Sequence, residues 1–514
     1  MAISPVLSKR SIRMATALLI ASLVLGACSH GQFVAVGQGG QTRIEPDPVL
    51  ALAFERISDR FLEPVDLRRV GLSGLAGLTA VDRQLSLSVE EPNFGFRRGD
   101  EEEPFVVFPM PGPRDSLGWA ATITAAIEVV RDRSTQLSAI DDEVLYNAVI
   151  DGFVSELDAY SRYHSAAEAR YHREQRDGYG GVGLELRRTG DGVVIAGVMP
   201  GSPADRIGIG EGDQLQSVDG FLTSQFSLDQ LSAILHGPIG SSVEITTQPA
   251  TPRDAERAFR LRRERIVERT IYSEWKADVA FITIKRFNGA TAEALATEVR
   301  KLRSVRPSMR GLVLDLRGNP GGLLDQAVRI ADLFLAKGST ILDTRGRHPA
   351  SHQHYEAKQG DISGGLPLVV LVDGGSASSS EIVASALKDN ERALVLGGRS
   401  LGKGSVQSVT RLPNDGELLL TWSLMHGPSG RTFHGRGVIP HLCTNTSNDG
   451  VAEVAESEKP IAVVRPLENE KPPCERTIEH DNGGHRKLAL SLLSDPSRLA
   501  RLIEGPDRSV AEAY

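Results

Sequence analysis

Three textures along the 514 residues predict a multidomain chain of α/β and β units. Over residues 50–80 and 116–160, Leu, Ala, Val and Ile recur three and four apart, the spacing of helices with one buried face. Around Tyr179, glycine-rich turns begin to alternate with short apolar runs, as in a β unit. From Trp275 onward strand-like and helix-like segments alternate, which argues for an α/β core with crossover connections. The expected order is an N-terminal helical segment, then a β domain inserted before the α/β core.

The chain opens with Lys9, Arg10 and Arg13 before an apolar run from Met14 to Leu25, ending Leu25-Gly26-Ala27-Cys28. A basic flank, a short apolar stretch and small residues make 1–27 a secretory signal, too short for a spanning helix. The four residues Leu-Gly-Ala-Cys resemble a bacterial lipobox, which implies that Cys28 is lipidated and becomes the first mature residue. An ordinary signal with a chance cysteine is the rival reading. One lipid anchor would hold a soluble protein on the bacterial cell envelope, in the periplasm and at the outer membrane.

Residues 28–175 then comprise a polar, glycine-rich tether from Gly31 to about Asp47 and the N-terminal helical region. Within it, Arg97 to Arg114 mixes acids, prolines and glycines and is expected to form a surface insertion. No role beyond packing can be read for this third of the chain.

Next, Tyr179-Gly180-Gly181-Val182-Gly183-Leu184 is a glycine loop entering a strand. Pro200-Gly201-Ser202-Pro203-Ala204, Gly208-Ile209-Gly210-Glu211-Gly212-Asp213 and Val218-Asp219-Gly220 follow in order. This series resembles a PDZ domain of the bacterial protease type over residues 176–265. The resemblance implies a groove that takes an extended peptide by strand addition. The amides of Gly181, Val182, Gly183 and Leu184 would receive its terminal carboxylate. A glycine-rich hairpin that binds nothing is the alternative.

The core is expected over residues 266–445. Val279 to Ile284 and Leu312 to Leu316 read as strands, with a helix from Thr291 to Leu302 between them. Gly321 and Gly322 then sit between strand and helix, where a backbone amide can approach a substrate carbonyl. Leu368 to Val372 is a continuous apolar run fit for a buried strand, broken by Asp373-Gly374-Gly375-Ser376. A helix from Ser379 to Lys388 places Ile382, Val383, Ala386 and Leu387 on one face, and Ala393 to Leu396 is the next strand. Gly397 to Gly404 is a glycine-rich turn with Lys403 in it, and Glu417 to Leu424 is a further strand. Residues 446–514 form a C-terminal tail, rich in Glu, Pro and Lys, with two short helices at its end.

Net charge is −8 with pI about 5.9, and positive clusters are short, so nucleic acid is a poor partner. An exported protein permits a disulfide between Cys443 and Cys474, which would staple the tail and not the active centre. No histidines have H-E-x-x-H spacing, which argues against a metal. Gly397 to Lys403 matches a phosphate-binding loop up to its lysine. Gly404 follows where a hydroxyl is needed for Mg²⁺, so nucleotide is rejected.

A strand, a tight turn and a helix can present a serine hydroxyl where free N–H groups favour negative charge. Ser378-Ser379-Ser380-Glu381 also fits a capping box, in which Ser378 only caps the helix. Ser376 lies in Gly374-Gly375-Ser376-Ala377-Ser378, near a G-x-S-x-G elbow but without its last glycine. Lys403, Ser405 and Gln407 share one side of an extended segment. A serine, a lysine base and an orienting amide could therefore converge.

Taken in order, the signal, the helical segment, the PDZ-like unit, D-L-R-x-N-x-G-G, S-A-S-x-S-E and L-G-K-G-x-V-Q resemble the carboxyl-terminal processing, or tail-specific, serine peptidases. The resemblance covers roughly residues 140–441. It implies a crotonase-like α/β serine protease core that cleaves polypeptides with accessible C-termini and needs no cofactor. It puts the nucleophile at Ser378, the general base at Lys403, 25 positions later, and the lysine-orienting amide at Gln407. Oxyanion amides fall on Gly322 and Ser379. Ser379 stands where alanine is usual, and its side chain is expected not to matter. An adaptor protein is a further candidate partner. The rival from another class is a catalytically silent PDZ-containing lipoprotein scaffold.

Overall fold

The structure is a computed structural model in which residues 45–190, 192–250, 255–444, 474 and 484–504 are described. The expected signal and Cys28 lie outside these residues. Among the described residues no helix is long and apolar enough to cross a membrane.

At the centre is a six-stranded sheet in the order Ile271–Lys276, Val279–Ile284, Gly311–Asp315, Leu368–Val372, Leu394–Gly397, Leu442–Cys443. The first pair is antiparallel and every other pairing is parallel. A parallel sheet is covered on both faces, which is why its strands read as unbroken apolar runs. Period-two alternation divides each run between two cores. Leu368, Val370 and Val372 face the helices Thr291–Val305, Leu324–Asp332 and Ser379–Asp389. Val369 and Leu371 face the helices Gly484–Ser494 and Pro496–Glu504.

The last two helices are thus part of the core's packing, since without them one whole face of the sheet would meet water. Leu488, Leu492 and Leu493 are buried there, each worth roughly 1.5–3 kcal/mol. Cys443 and Cys474 form a disulfide beside the carbonyl of Gly397, the strand end from which the Lys403 turn departs. The staple therefore ties Cys474 of the tail to the end of that strand.

A second sheet runs Gln353–Glu356, Thr340–Arg345, Glu417–His426, Ser405–Arg411, and the short strand Arg162–His164 also pairs with Glu417–His426. Here the N-terminal region docks, with Leu412, Leu418 and Leu420 sharing a core with Phe54, Ile57 and Phe153. Its helices Pro48–Arg60, Leu67–Val81, Ser116–Arg133 and Asp142–Ser155 match the apolar spacing.

The stretch expected as a surface insertion, Arg97 to Arg114, lies mostly at the surface but carries part of a small sheet. Leu85–Glu90, Asn93–Arg98 and Val106–Pro109 form a three-stranded antiparallel sheet. Phe94 and Phe96, two residues apart, bury on one face with Phe108 against Trp119. The acidic run between the second and third strands is only their turn.

The PDZ-like unit has strands in the order Arg257–Arg262, Ser242–Gln248, Gln214–Val218, Gly192–Val198, Leu184–Thr189, packed with the helix Leu228–Leu235. Leu184–Thr189 is the outer strand, beside that helix, and among the described residues no strand continues beyond it on that path.

Candidate active site

Two tight turns at the ends of parallel strands are brought face to face. Leu316 to Gly322 follows Gly311–Asp315, and Asp373 to Ser378 follows Leu368–Val372. Asp373 ties them: its Oδ1 accepts the N–H groups of Gly318 (2.9 Å), Gly375 (2.9 Å) and Ser376 (3.1 Å). Asn319, wholly buried, ties them again, since its carbonyl accepts the N–H of Ala377 at 3.0 Å and its Oδ1 that of Gly321 at 2.9 Å. The approach is so close that a Cβ at Gly321 would lie 2.8 Å from the Cβ of Ser378. Gly321 and Gly322 are at φ 100° and 148°, where side chains are disfavoured, so glycine is required twice over.

The crowd of serines now separates. Ser376 Oγ donates to Leu316 O (2.9 Å), Ser379 Oγ to Gly322 O (2.9 Å) and Ser380 Oγ to Asn319 O (3.0 Å). All three are buried, whereas Ser378 is partly open to solvent. Ser378 also has φ 53°, an uncommon conformation for a residue with a side chain and one that concentrates at functional turns. The helix Ser379–Asp389 begins immediately after it. Gly321 O and Leu323 N–H are both bonded to Phe287, so the N–H of Gly322 between them faces the other way. The Ser379 amide is the first of the helix, where no carbonyl of the helix can reach it.

Glu381 organises the other half. It is fully buried, yet its carboxylate accepts four donors. Oε2 takes the N–H of Ser378 (2.8 Å) and of Lys403 (2.9 Å), and Oε1 takes Gly402 N–H (2.7 Å) and Ser400 Oγ (2.5 Å). Burial pushes this carboxyl above the usual range, and the bonds from Ser400, Ser378, Gly402 and Lys403 oppose it. One side chain thus fastens the backbone of the serine turn to that of the lysine turn. The sequence showed Glu381 as the last letter of a capping box and of the S-A-S-x-S-E motif, and both are local patterns that hid the longer bridge.

The Lys403 side chain is mostly withdrawn from water, and its ammonium lies 5.7 Å from the ring centroid of Tyr160. Burial first, then the charge of Arg162, push its pKa below the ordinary lysine value, while Asp158 and Glu381 pull it up. Gln407 does not reach it: the amide donates to Ser405 Oγ (3.0 Å) and Thr421 Oγ1 (3.2 Å). Thr421 in turn bonds Asp158. Tyr160 and Asp158 come from the region to which no role could be given, and no motif marks them.

This arrangement supplies a reachable hydroxyl on an uncommon turn, two backbone amides beside it and a desolvated amine on a turn bound to the same carboxylate. Among the described residues no group of three or more His, Cys, Asp or Glu could hold a metal ion. In the PDZ-like unit, Val182 and Gly183 give their carbonyls to Ala204 and Met199, while Gly181 pairs with Glu264. Leu184 begins the outer strand.

The model of peptidase family S41 matches residues 278–444, and that of the PDZ domain matches 194–249. The carboxy-terminal-processing protease of Bartonella bacilliformis is 34% identical over 315 residues, 61% of this chain and 72% of that one. The chain belongs to the carboxy-terminal-processing proteases. It is a serine-type peptidase with a PDZ domain and an α/β core, and these relatives do not favour a silent scaffold. A probable CtpA-like serine protease of Staphylococcus aureus is 35% identical over 318 residues, 60% of this chain and 61% of its own length. Among solved structures, a photosystem II D1 C-terminal processing protease covers 76% of this processing protease and 98% of its own chain. The two chains are 25% identical, with a TM-score of 0.37.

Proposed function

We propose that this processing protease uses Ser378 as nucleophile and Lys403 as general base. The neutral Lys403 amine takes the hydroxyl proton as Ser378 Oγ bonds the scissile carbonyl carbon and the carbonyl π pair moves onto oxygen. The N–H groups of Gly322 and Ser379 receive that oxyanion. Collapse breaks the C–N bond, the departing amine takes the proton from Lys403, and an ester remains on Ser378. Water deprotonated by the same lysine then hydrolyses the ester. Gln407 supports the base at one remove, through Thr421 and Asp158.

The observation that carries this reading is the shared carboxylate of Glu381, which accepts the backbone N–H of both Ser378 and Lys403. Substrates are polypeptides with accessible C-termini. Their carboxylate is received by the amides around Gly181, Val182, Gly183 and Leu184, and the chain adds to the free edge of Leu184–Thr189. The protein acts in the periplasm, lipid-anchored through Cys28 to the outer membrane, and an adaptor protein is a candidate partner.

Lys403→Ala and Ser378→Ala test the core of this reading. Each is expected to abolish cleavage of a tail peptide with the fold intact by circular dichroism, and Ser378→Ala to abolish fluorophosphonate labelling. Labelling that persists in Ser378→Ala, or normal turnover by Lys403→Ala, removes the assigned pair.

A further inference from the structure

A lysine that must shed and regain a proton needs a seat that does not lock it in one charge state. A carboxylate at bonding distance would hold the ammonium, and bulk water would do the same by solvating it. Among the described residues the contact that Lys403 Nζ makes is neither. It lies against the face of the Tyr160 ring, 5.7 Å from the centroid. We infer that Tyr160 is a positioning residue for Lys403, its ring face seating the amine and keeping water from it. This rests on the reading of Lys403 as base.

The ring is itself held on several sides. Asp158 Oδ1 accepts the N–H groups of Tyr160 (3.2 Å) and Ser161 (2.6 Å), which fixes the turn that carries the ring. Ser161 Oγ accepts the N–H of Thr421 at 3.1 Å, and Arg162–His164 pairs with Glu417–His426, so the turn is stitched to the second sheet. The ring of His434 meets that of Tyr160 edge-on, with centroids 5.6 Å apart. The charged and titratable groups around the amine are therefore Asp158, Arg162 and Glu381, with His434 across the ring.

An aromatic face attracts a cation but bears no full opposite charge, so it steadies the ammonium weakly and releases the proton readily. Burial at this seat is also the largest influence lowering the lysine's proton affinity. Removing the ring admits water, restores the ordinary affinity and leaves less neutral amine at pH 7.

The test uses the full-length chain in detergent, with Tyr160→Ala, Tyr160→Leu and Tyr160→Phe. The readouts are kcat and KM on a tail peptide and the fluorophosphonate labelling rate from about pH 6 to pH 10, the span of an amine's titration. In Tyr160→Ala, kcat is expected to fall about tenfold or more with KM within about twofold, and the acid limb of the pH–rate profile to move up. Tyr160→Phe, which keeps the ring, brings kcat back to within about threefold of wild type. Tyr160→Leu keeps the bulk without the ring face and decides the matter if the alanine variant does not fold; a loss of kcat with a displaced profile is expected. Wild-type kcat and profile in the alanine variant, or in the leucine variant where alanine does not fold, overturns the inference. So does a phenylalanine variant as damaged as alanine. Silent Tyr160 variants beside an inactive Lys403→Ala overturn only this inference, whereas an active Lys403→Ala removes the base assignment on which it stands.

Discussion

Ser378 and Lys403 share one anchor and differ in everything beyond it. Around Ser378 the backbone is fixed by Glu381, by Asn319 through Ala377 and by Asp373 through Ser376. Around Lys403 only the backbone is fixed; the side chain ends against a ring and among charges it does not touch. Groups that meet a developing oxyanion work best when they do not move, because reorganisation in the transition state costs rate. A base must instead change charge twice in each turnover, so its surroundings favour neither state strongly. The rigid half belongs to the nucleophile and the soft half to the proton.

Removing the common anchor is expected to have the largest effect. Glu381→Ala leaves buried donors on both turns without an acceptor, at about 1–3 kcal/mol for each one that water cannot reach. Two such groups already amount to about 2–6 kcal/mol, roughly thirtyfold or more, so kcat should fall on the order of 10²–10³-fold, with a lower melting temperature. Glu381→Gln keeps the shape but turns an amide NH₂ toward N–H donors, and should lose about tenfold to a hundredfold. An alanine variant with more than about a tenth of wild-type kcat would break the idea that one carboxylate couples the halves.

Gln407 is the next point of leverage, on the soft side. Its amide goes to Ser405 and Thr421, and Thr421 bonds Asp158, so its influence on the lysine is indirect. Gln407→Ala should lower kcat about tenfold, and Thr421→Val by a similar factor. Because both interrupt one path, the double variant should lose little more than the worse single variant. Fully additive losses would mean that Gln407 acts on the site by another route.

What the sequence made legible follows the range of the forces involved. Leu368 to Val372 and Leu312 to Leu316 were readable as buried strands because burial on two faces leaves an unbroken apolar run. Ser378, Lys403 and the glycines at 321 and 322 stood out through turn chemistry and the family resemblance. Glu381 was hidden because its nearest partner is three residues away and sufficed to explain it, while Gly402 and Lys403 are bonded only after the chain folds back. Asp158 and Tyr160 were hidden because the short strand that delivers them, Arg162–His164, joins a sheet formed by residues some 250 positions later. The meander from Leu85 to Pro109 was missed because charged turn residues outweighed the alternation of Phe94 and Phe96.

Ser379 tests the rigid half on a smaller scale, and with it the expectation that its side chain does not matter. Its hydroxyl donates to the carbonyl of Gly322 at 2.9 Å, joining the two residues whose amides are the oxyanion candidates. One neutral hydrogen bond is worth about 0.5–1.5 kcal/mol, so Ser379→Ala should lower kcat roughly twofold to tenfold with KM unchanged. An unchanged kcat would show that the two turns keep their spacing without this stitch.

The smallest expected effect concerns the seam that delivers the soft half. His164, on the strand that follows Tyr160, stacks on His172 with ring centroids 4.3 Å apart, beside Arg162, Arg176, Glu168 and Glu417. Burial, then the neighbouring His172 and Arg162, push His164 down to about 4 from 6.5, and His172 is lowered mainly by burial. Between those values the unfolded chain binds more protons than the folded one, so stability rises with pH. The contribution is complete above about pH 6.5 and is lost as pH falls toward 4. Glu417 and Glu168, both lowered, act in the same direction but only once pH falls below their ordinary value of 4.5. Between pH 7 and pH 5 these two glutamates stay charged, and comparison with a variant that lacks the two imidazoles isolates their share. The wild-type melting temperature should drop by a few degrees more over that interval than that of the His164→Phe, His172→Phe double variant, which keeps the stacked rings without the protons. Equal drops in the two proteins would place the acid sensitivity elsewhere and leave this seam indifferent to pH.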